Sequence, residues 1–273
     1  MEKAIVMLSG GLDSRLAIKL MQEKGYDVLA LHFKIPFGSG CCDENCSFNF
    51  SQGEGVKLKI VDCTRGKLLK EYLDIVRKPK HGRGTCMNPC IDCRIFMLKK
   101  AKKFADAEKI KLIATGEVLN QRPMSQNSKA MKIVEKESGL GDRLVRPVDE
   151  AGAKGRSRKK QISLAKKFKI KYPNSGGGCL LCEKELKNKI KSVLDKKVPE
   201  HYVNLVNIGR HFENSGIILG RNAKENKILE IQKGIKIIPK QPGATALISE
   251  KKFEKKAKEL IQKYAKRKIV DYA

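Results

Sequence analysis

The sequence predicts an α/β fold, a parallel sheet with helices on both faces, followed by a smaller α+β domain. Three observations carry this. Short apolar segments alternate with helix-spaced ones from Ala4 to Thr115, the pattern of buried strands and covering helices. The first apolar segment runs straight into Ser9-Gly10-Gly11-Leu12-Asp13-Ser14, a glycine turn that opens a helix. Beyond about Val198 the alternation gives way to short strand-like runs and a closing basic helix.

Ala4 to Leu8 is read as the first strand, because it is uniformly apolar and too short for a signal peptide. Ser14 to Lys24 follows as a helix whose packed side carries Leu16, Ile18, Leu20 and Met21. Asp27 to Phe33, Val56 to Asp62 and Leu112 to Thr115 are the next strands. Lys67 to Val76 and Ile91 to Lys109 have helical spacing. Ligands on such sheets bind at the carboxyl ends of strands, where the loops after Leu8, Phe33 and Thr115 lie. A basic turn at Ala151 to Lys160 leads to a helix, Gln161 to Phe168, and a Gly-rich stretch, Asn174 to Cys179. A charged helix, Glu183 to Leu194, comes next. Val203 to Ile208, Ser215 to Leu219, Ile235 to Ile238 and Ala244 to Ile248 are read as short strands, and Glu250 to Lys268 as the last helix. The expected organisation is a nucleotide domain over 1–172, a cysteine-containing linker and helix over 173–197, and a second domain over 198–273.

Composition narrows the partners. Lys and Arg number 58 against 30 Asp and Glu, a formal charge of +28, while 41% of residues are hydrophobic. A core forms easily, and the excess charge calls for a polyanion such as nucleic acid; a solvated Lys-rich surface is the alternative. With no Trp and 5% aromatics, contact with phosphate is expected to outweigh base stacking. No apolar run reaches the about 18 residues of a membrane span, and a cytoplasmic location is expected. Nine cysteines in such a chain argue for metal or redox chemistry over a disulfide framework. Eight of them cluster: Cys41, Cys42 and Cys46; Cys86, Cys90 and Cys93; Cys179 and Cys182. Cys63 stands apart and is read as packing.

Ser9 to Ser14 is a phosphate cradle. Gly10 and Gly11 let the backbone approach an anion, and the following helix turns its positive end towards it. Ser9 and Ser14 offer hydroxyls, and Asp13 can hold Mg²⁺ against pyrophosphate. No Gly-Lys-Ser/Thr follows, which argues against the kinase-like phosphate loop. The hexapeptide resembles the PP-loop of the N-type ATP pyrophosphatases, a family that includes GMP synthetase, tRNA lysidine synthetase, 7-cyano-7-deazaguanine synthase and the tRNA thiouridine synthetases. The resemblance implies the adenine-nucleotide α-hydrolase-like fold and ATP cleavage to AMP and pyrophosphate, with adenylation of a substrate oxygen. His32 and Phe33, ending the second strand, join the expected nucleotide site.

Gly116-Glu117-Val118-Leu119-Asn120-Gln121-Arg122-Pro123-Met124-Ser125-Gln126 is similar to the Gly-Glu-x-Leu-x-Gln-x-x-Ser-Gln segment of tRNA 4-thiouridine synthetases, with one extra residue between Gln121 and Ser125. The resemblance implies that Gly116 allows close approach while Gln121, Ser125 and Gln126 face ribose or phosphate. Asn88-Pro89 before Cys90-Ile91-Asp92-Cys93 resembles the Asn-Pro-x-x-x-Cys stretch of 2-thiouridine synthetases. In iron–sulfur thiolation enzymes a Cys-x-x-Cys pair and a distant third cysteine hold a 4Fe–4S cluster. Cys90, Cys93 and Cys179 match that set, with Cys86 and Cys182 as further ligands to consider, and the helix start at Cys90 favours thiolate. Zinc on Cys86, Cys90, Cys93 and Cys179 is the rival, and a metal-free persulfide and disulfide pair on Cys93 and Cys179 the third option. Cys41, Cys42 and Cys46 are read as an accessory metal site, a sulfur relay or inert thiols.

Gly209-Arg210-His211-Phe212, with Ile218-Leu219-Gly220-Arg221-Asn222-Ala223 and Glu225-Asn226, resembles the NFACT-R type of RNA-binding domain. That implies phosphate contacts by Arg210, Arg221 and Lys224, with His211 either a contact or a satisfied polar residue. Arg146, Arg156 and Arg158 are expected to guide RNA. The chain opens directly on the phosphate loop, so the C-terminal domain is expected to present the RNA. Together these readings give a tRNA sulfurtransferase with ATP, Mg²⁺ and a 4Fe–4S cluster, served by sulfide or a cysteine desulfurase. The rivals are a zinc-containing PP-loop ligase of a small acid and an ATP-responsive RNA-binding factor.

Overall fold

A computed structural model describes residues 1–38, 44–173, 178–265 and 267–272. It divides at Cys182 and Glu183 into two units, within the stretch 173–197 read as a linker, so the helix of that stretch belongs to the second unit.

The first unit opens with β1 (Lys3–Met7), α1 (Leu12–Glu23), β2 (Asp27–Lys34), α2 (Glu44–Gly53), β3 (Lys57–Asp62), α3 (Gly66–Arg77), α4 (Cys90–Ala107) and β4 (Leu112–Ala114). It continues with α5 (Ser128–Ser138), β5 (Leu144–Val145), α6 (Pro147–Glu150) and α7 (Lys159–Lys167). The strands form one parallel sheet in the order β3-β2-β1-β4-β5. Ala4, Ile5 and Val6 are wholly buried because β1 is central and helices cover both faces. Ala4 and Val6 face the cluster built with Leu16, Ala17 and Leu20 of α1. Ile5 and Met7 face the cluster built with Ile95 and Leu98 of α4. Strand order reverses between β1 and β4, so the crevice at their carboxyl ends is the topological switch point where ligands bind in such sheets.

Helices α1 and α7 run side by side in the same direction. Lys167 meets Glu23 at 2.7 Å near their carboxyl ends, while Arg158, the N-cap of α7, lies within electrostatic reach of Asp13 in the first turn of α1. Among the described residues no helix is long and apolar enough to cross a membrane.

The second unit holds α8 (Lys187–Leu194), β6 (Arg210–Phe212), β7 (Ile217–Leu219), α9 (Ala223–Glu230), β8 (Ile235–Ile237), β9 (Ala246–Ile248) and α10 (Glu254–Tyr264). Its strands form an antiparallel sheet in the order β6-β7-β9-β8. Ile217, Leu219, Ala246 and Ile248 pack against Ala257, Leu260 and Ile261 of α10. The expected strand over 203–208 is a correction: Glu200–Leu205 is a 3-10 helix. Tyr202, Val203 and Leu205 are its buried positions and Val206, the residue after it, is buried too, a spacing of three that matches the 3-10 turn. The last helix is shorter than expected because Ala265 turns extended and Ile269 folds back into the core, its amide donating to Gln262 Oε1 at 2.8 Å.

Candidate nucleotide and sulfur site

The phosphate loop is held open by its own residues. Gly10 takes φ +84, a left-handed conformation that favours glycine. Ser14 Oγ donates to the Gly11 carbonyl at 2.9 Å and accepts from Ser9 N and Ser9 Oγ, each at 3.2 Å. Gly11 is the N-cap of α1 and supplies no side-chain cap, so the first-turn amides point into the crevice as an anion site does. Arg15, not singled out from the sequence, braces the loop from behind. Its guanidinium donates to Gly10 O at 2.8 Å, Cys46 Sγ at 2.9 Å and the Lys171 carbonyl, and it lies 4.8 Å from the Phe50 ring centre.

The loop after β4 closes onto this cradle. A Cβ on Gly116 would lie 2.5 Å from the Asp13 carbonyl carbon and 2.6 Å from Ser14 N, so only glycine allows the approach. Gln121 Nε2 donates to Asp13 Oδ2 at 3.0 Å. Gln126 N donates to Arg122 O at 2.9 Å, and the additional residue of this loop is taken up inside that turn. Asp149 Oδ1 accepts from Leu119 N at 2.7 Å, and Gly155 N donates to Leu119 O at 2.8 Å, stitching the basic 149–158 stretch alongside. Burial raises the Asp13 carboxyl above its usual range, opposed by the Gln121 hydrogen bond and by Arg158 and Arg122. Asp13 Oδ1, Gln121 Oε1, Gln126 Oε1 and Arg158 Nε are buried with no hydrogen-bond partner among the described residues. Buried polar atoms left this way mark a place built for a ligand. Ser125 and Gln126 are likewise buried in this loop. Arg158 therefore stands beside the cradle, whereas Arg156 is exposed. His32 is buried, its Nδ1 within 2.9 Å of both Leu8 O and Ser47 Oγ, so it buttresses the end of β1. Phe33 packs in the cluster on the α4 side of the sheet.

The split cysteines come together through backbone hydrogen bonds. Met87 N donates to Leu181 O at 2.9 Å, and Leu180 N to Phe37 O at 3.1 Å. Cys179 Sγ donates to Phe37 O at 2.9 Å. Cys90 Sγ accepts from Asn88 Nδ2 at 3.2 Å, and Cys93 Sγ lies 3.4 Å from the Tyr72 hydroxyl. Tyr72, wholly buried between Phe37 and Phe96, carried no sequence signal beyond its place on a helix. Cys90, Cys93 and Cys179 lie within electrostatic reach of one another, and Cys182 of Cys179. Burial pushes the Cys179 thiol up to about 12 and raises that of Cys93. The donor set suits a soft metal, but among the described residues no three Cys, His, Asp or Glu are gathered as metal ligands. Cys86 is half-buried, its amide donating to Asn88 Oδ1 at 3.2 Å. Cys41 and Cys42 lie outside the described residues. Cys63 is buried and within reach of Cys93, its thiol pushed up to about 12 by burial first.

In the second unit Arg221 Nε and Nη2 are engaged within the protein. Its Nε bonds Glu225 Oε1 at 2.9 Å, its Nη2 donates to Asn207 O at 3.1 Å, and its amide donates to Glu225 Oε2 at 2.8 Å. His211 is a satisfied polar residue. Its Nε2 faces Leu205 O and Ile208 O at 3.0 and 2.9 Å, and burial pushes its pKa down to about 4. Arg210 stacks over Tyr264 at 4.6 Å, and Lys224 is exposed on α9.

A glycine cradle with an open helix start at the switch point of a parallel sheet, closed by a glutamine loop, defines a PP-loop nucleotide-binding protein. Residues 1–168 match the family Thiamine biosynthesis protein (ThiI), and the chain belongs to that family. The tRNA-specific 2-thiouridylase MnmA of Acidithiobacillus ferrooxidans is 31% identical over 120 residues, 42% of this chain and 33% of that protein. The MnmA of Synechococcus sp. is 30% identical over 143 residues, 50% of this chain and 40% of the relative. The chain thus spans well under half the length of these curated relatives. Among solved structures, a 4-thiouridine synthetase–RNA complex with bound ATP aligns with a TM-score of 0.44 at 21% identity, over 74% of this chain and 52% of that one. NMN synthetase from Francisella tularensis aligns at 0.45 and 16%, over 76% and 82%.

Proposed function

We propose that this chain is an ATP-dependent tRNA sulfurtransferase that replaces a uridine carbonyl oxygen with sulfur. The observation that carries the reading is the closure of the Gly116–Gln126 loop on Asp13, with Cys93 and Cys179 assembled in the same unit. Family membership and the similarity to tRNA 2-thiouridylases support it.

In this reading the open amides of α1 and the hydroxyls of Ser9 and Ser14 hold the polyphosphate. Asp13 would hold Mg²⁺, whose charge stabilises the leaving pyrophosphate. Arg158 adds positive charge beside it. The uridine oxygen attacks the α-phosphate and pyrophosphate leaves. Hydrosulfide then attacks the activated carbon, AMP departs with the original oxygen, and the sulfur loses its proton. The base must leave its stack to reach a buried loop. A 4Fe–4S cluster, if carried, would sit on Cys90, Cys93 and Cys179 and supply an iron site open to sulfide. The second unit would present the RNA through exposed groups such as Lys224, in keeping with its NFACT-R-like motifs.

Mass spectrometry of tRNA nucleosides from a deletion strain tests the activity. Loss of one thiolated uridine, restored by the intact gene, is expected. An unchanged nucleoside profile refutes it and leaves the ligase and RNA-factor readings. Metal analysis after anaerobic purification tests the sulfur site: iron with absorbance near ~400 nm supports the cluster, and stoichiometric zinc without iron rules it out.

A further inference from the structure

Glu117 follows the glycine that touches the phosphate loop, and its side chain meets Arg94, Arg146 and Thr115. The carboxylate is 2% exposed. Arg94 Nε lies 2.9 Å from its Oε1 and Arg146 Nε 3.6 Å from its Oε2, and Thr115 Oγ1 donates to Oε2 at 3.2 Å. Arg146 continues to Glu135 of α5 at 3.0 Å. Arg94 is the residue after Cys93, in the first turns of α4. One buried carboxylate therefore joins the loop that packs on Asp13 to the helix that carries Cys90 and Cys93.

Such a pair is a costly way to stabilise a fold, since two apolar residues of similar volume often serve as well. Its value lies in geometry. Two guanidinium groups held at ion-pair distance from one buried carboxylate cannot draw apart without leaving that charge uncompensated, so the contact fixes the spacing of loop and helix. Its two ends lie beside the two groups that must act in sequence, the nucleotide loop and the sulfur-bearing helix. We propose that Glu117 and Arg94 are positioning residues that fix the cysteine helix relative to the nucleotide loop, so that sulfur meets the adenylated base before water does. This rests on the sulfurtransferase reading above.

The test compares Arg94→Met, Arg94→Lys, Glu117→Gln and the double variant Arg94→Met/Glu117→Gln with the intact protein. AMP release from ATP and thiolated uridine are measured together, with sodium sulfide and unmodified bulk tRNA as probes. A misplacement of ~1 Å costs about 100-fold in a step that needs alignment. Thiolation per AMP released should therefore fall by up to about that factor in Arg94→Met and Glu117→Gln. AMP release itself should persist, because water intercepts the activated base. Arg94→Lys should restore part of the ratio, and the double variant should be no worse than either single change.

Equal losses of AMP release and thiolation, or a ratio that stays at the wild-type value, overturn the proposal. Additive losses in the double variant overturn it too, since the two residues would then act independently. If a single variant fails to fold, the apolar pair Arg94→Met/Glu117→Met restores packing without the charges, and a wild-type ratio there has the same meaning. Absence of thiolated uridine with the intact protein would instead refute the sulfurtransferase reading itself.

Discussion

Gly116→Ala isolates the contact that joins the two halves of the nucleotide site. The added methyl would stand 2.5 Å from the Asp13 carbonyl carbon and 2.6 Å from both Asp13 O and Ser14 N. Ordinary contact between such atoms begins near ~3.5 Å, so the loop must withdraw by about 1 Å. All three obstructing atoms are backbone, part of the first turn of a buried helix, and cannot swing aside. Overpacking of this kind costs about 1–3 kcal/mol of stability. A shift of ~1 Å at a reacting centre costs about 100-fold in rate. Calorimetric titration with ATP and a radiometric AMP assay should therefore show weak binding and a loss of roughly two orders of magnitude in turnover. Gly53→Ala is the control, because it ends α2 with nothing within 4 Å of the new methyl. If Gly116→Ala binds and cleaves ATP like the control, the loop does not pack on Asp13 and the site is wrongly built.

Other expectations concern charge. Burial raises the Asp13 carboxyl, so the folded protein binds its proton more tightly than the unfolded chain does, and stability falls as pH rises from 3.8 through the raised value. Asp13→Asn should raise the melting temperature at pH 7 while ending AMP formation; a variant no more stable than wild type at pH 7 contradicts this. His211 runs the other way. Its pKa is held down to about 4 from 6.5, so its contribution is complete above 6.5 and lost as pH falls towards 4. Protection factors of the β6 and β7 amides, corrected for the intrinsic slowing of exchange in acid, should fall across that window, and unchanged protection would count against a buried neutral imidazole. Arg221→Ala should cost about 1 kcal/mol or less, since it removes a half-exposed guanidinium from Glu225 but leaves that carboxylate its backbone donors, with little change in RNA affinity. Arg156→Ala, exposed on the basic turn, should instead weaken RNA binding and lower the salt slope by about 1. Filter binding across a salt series distinguishes the two, and a reversal of these effects would return Arg221 to the RNA surface.

What the chain declares by itself is local. Uniformly apolar Ala4 to Leu8, then Gly10 and Gly11, then a helix-spaced run can only be a buried strand entering a glycine turn and a helix, because neighbours along the chain decide those dihedrals. The Gly116 to Gln126 stretch was legible through its resemblance to the corresponding segment of 4-thiouridine synthetases. Periodicity is weaker where segments are short: β5, with two residues, and the 3-10 turn at Glu200–Leu205 carry too few positions to reveal a period. Pairings across the sequence were invisible. Strand order set the switch point between β1 and β4, and backbone bonds from Met87 to Leu181 brought the distant cysteines into one unit. Tertiary structure also decided the use of each charge, pairing Arg221 with Glu225, setting Arg158 beside Asp13 and burying Glu117 between Arg94 and Arg146. A side chain's type is fixed by sequence, but its pKa and its partners depend on what the fold removes from water.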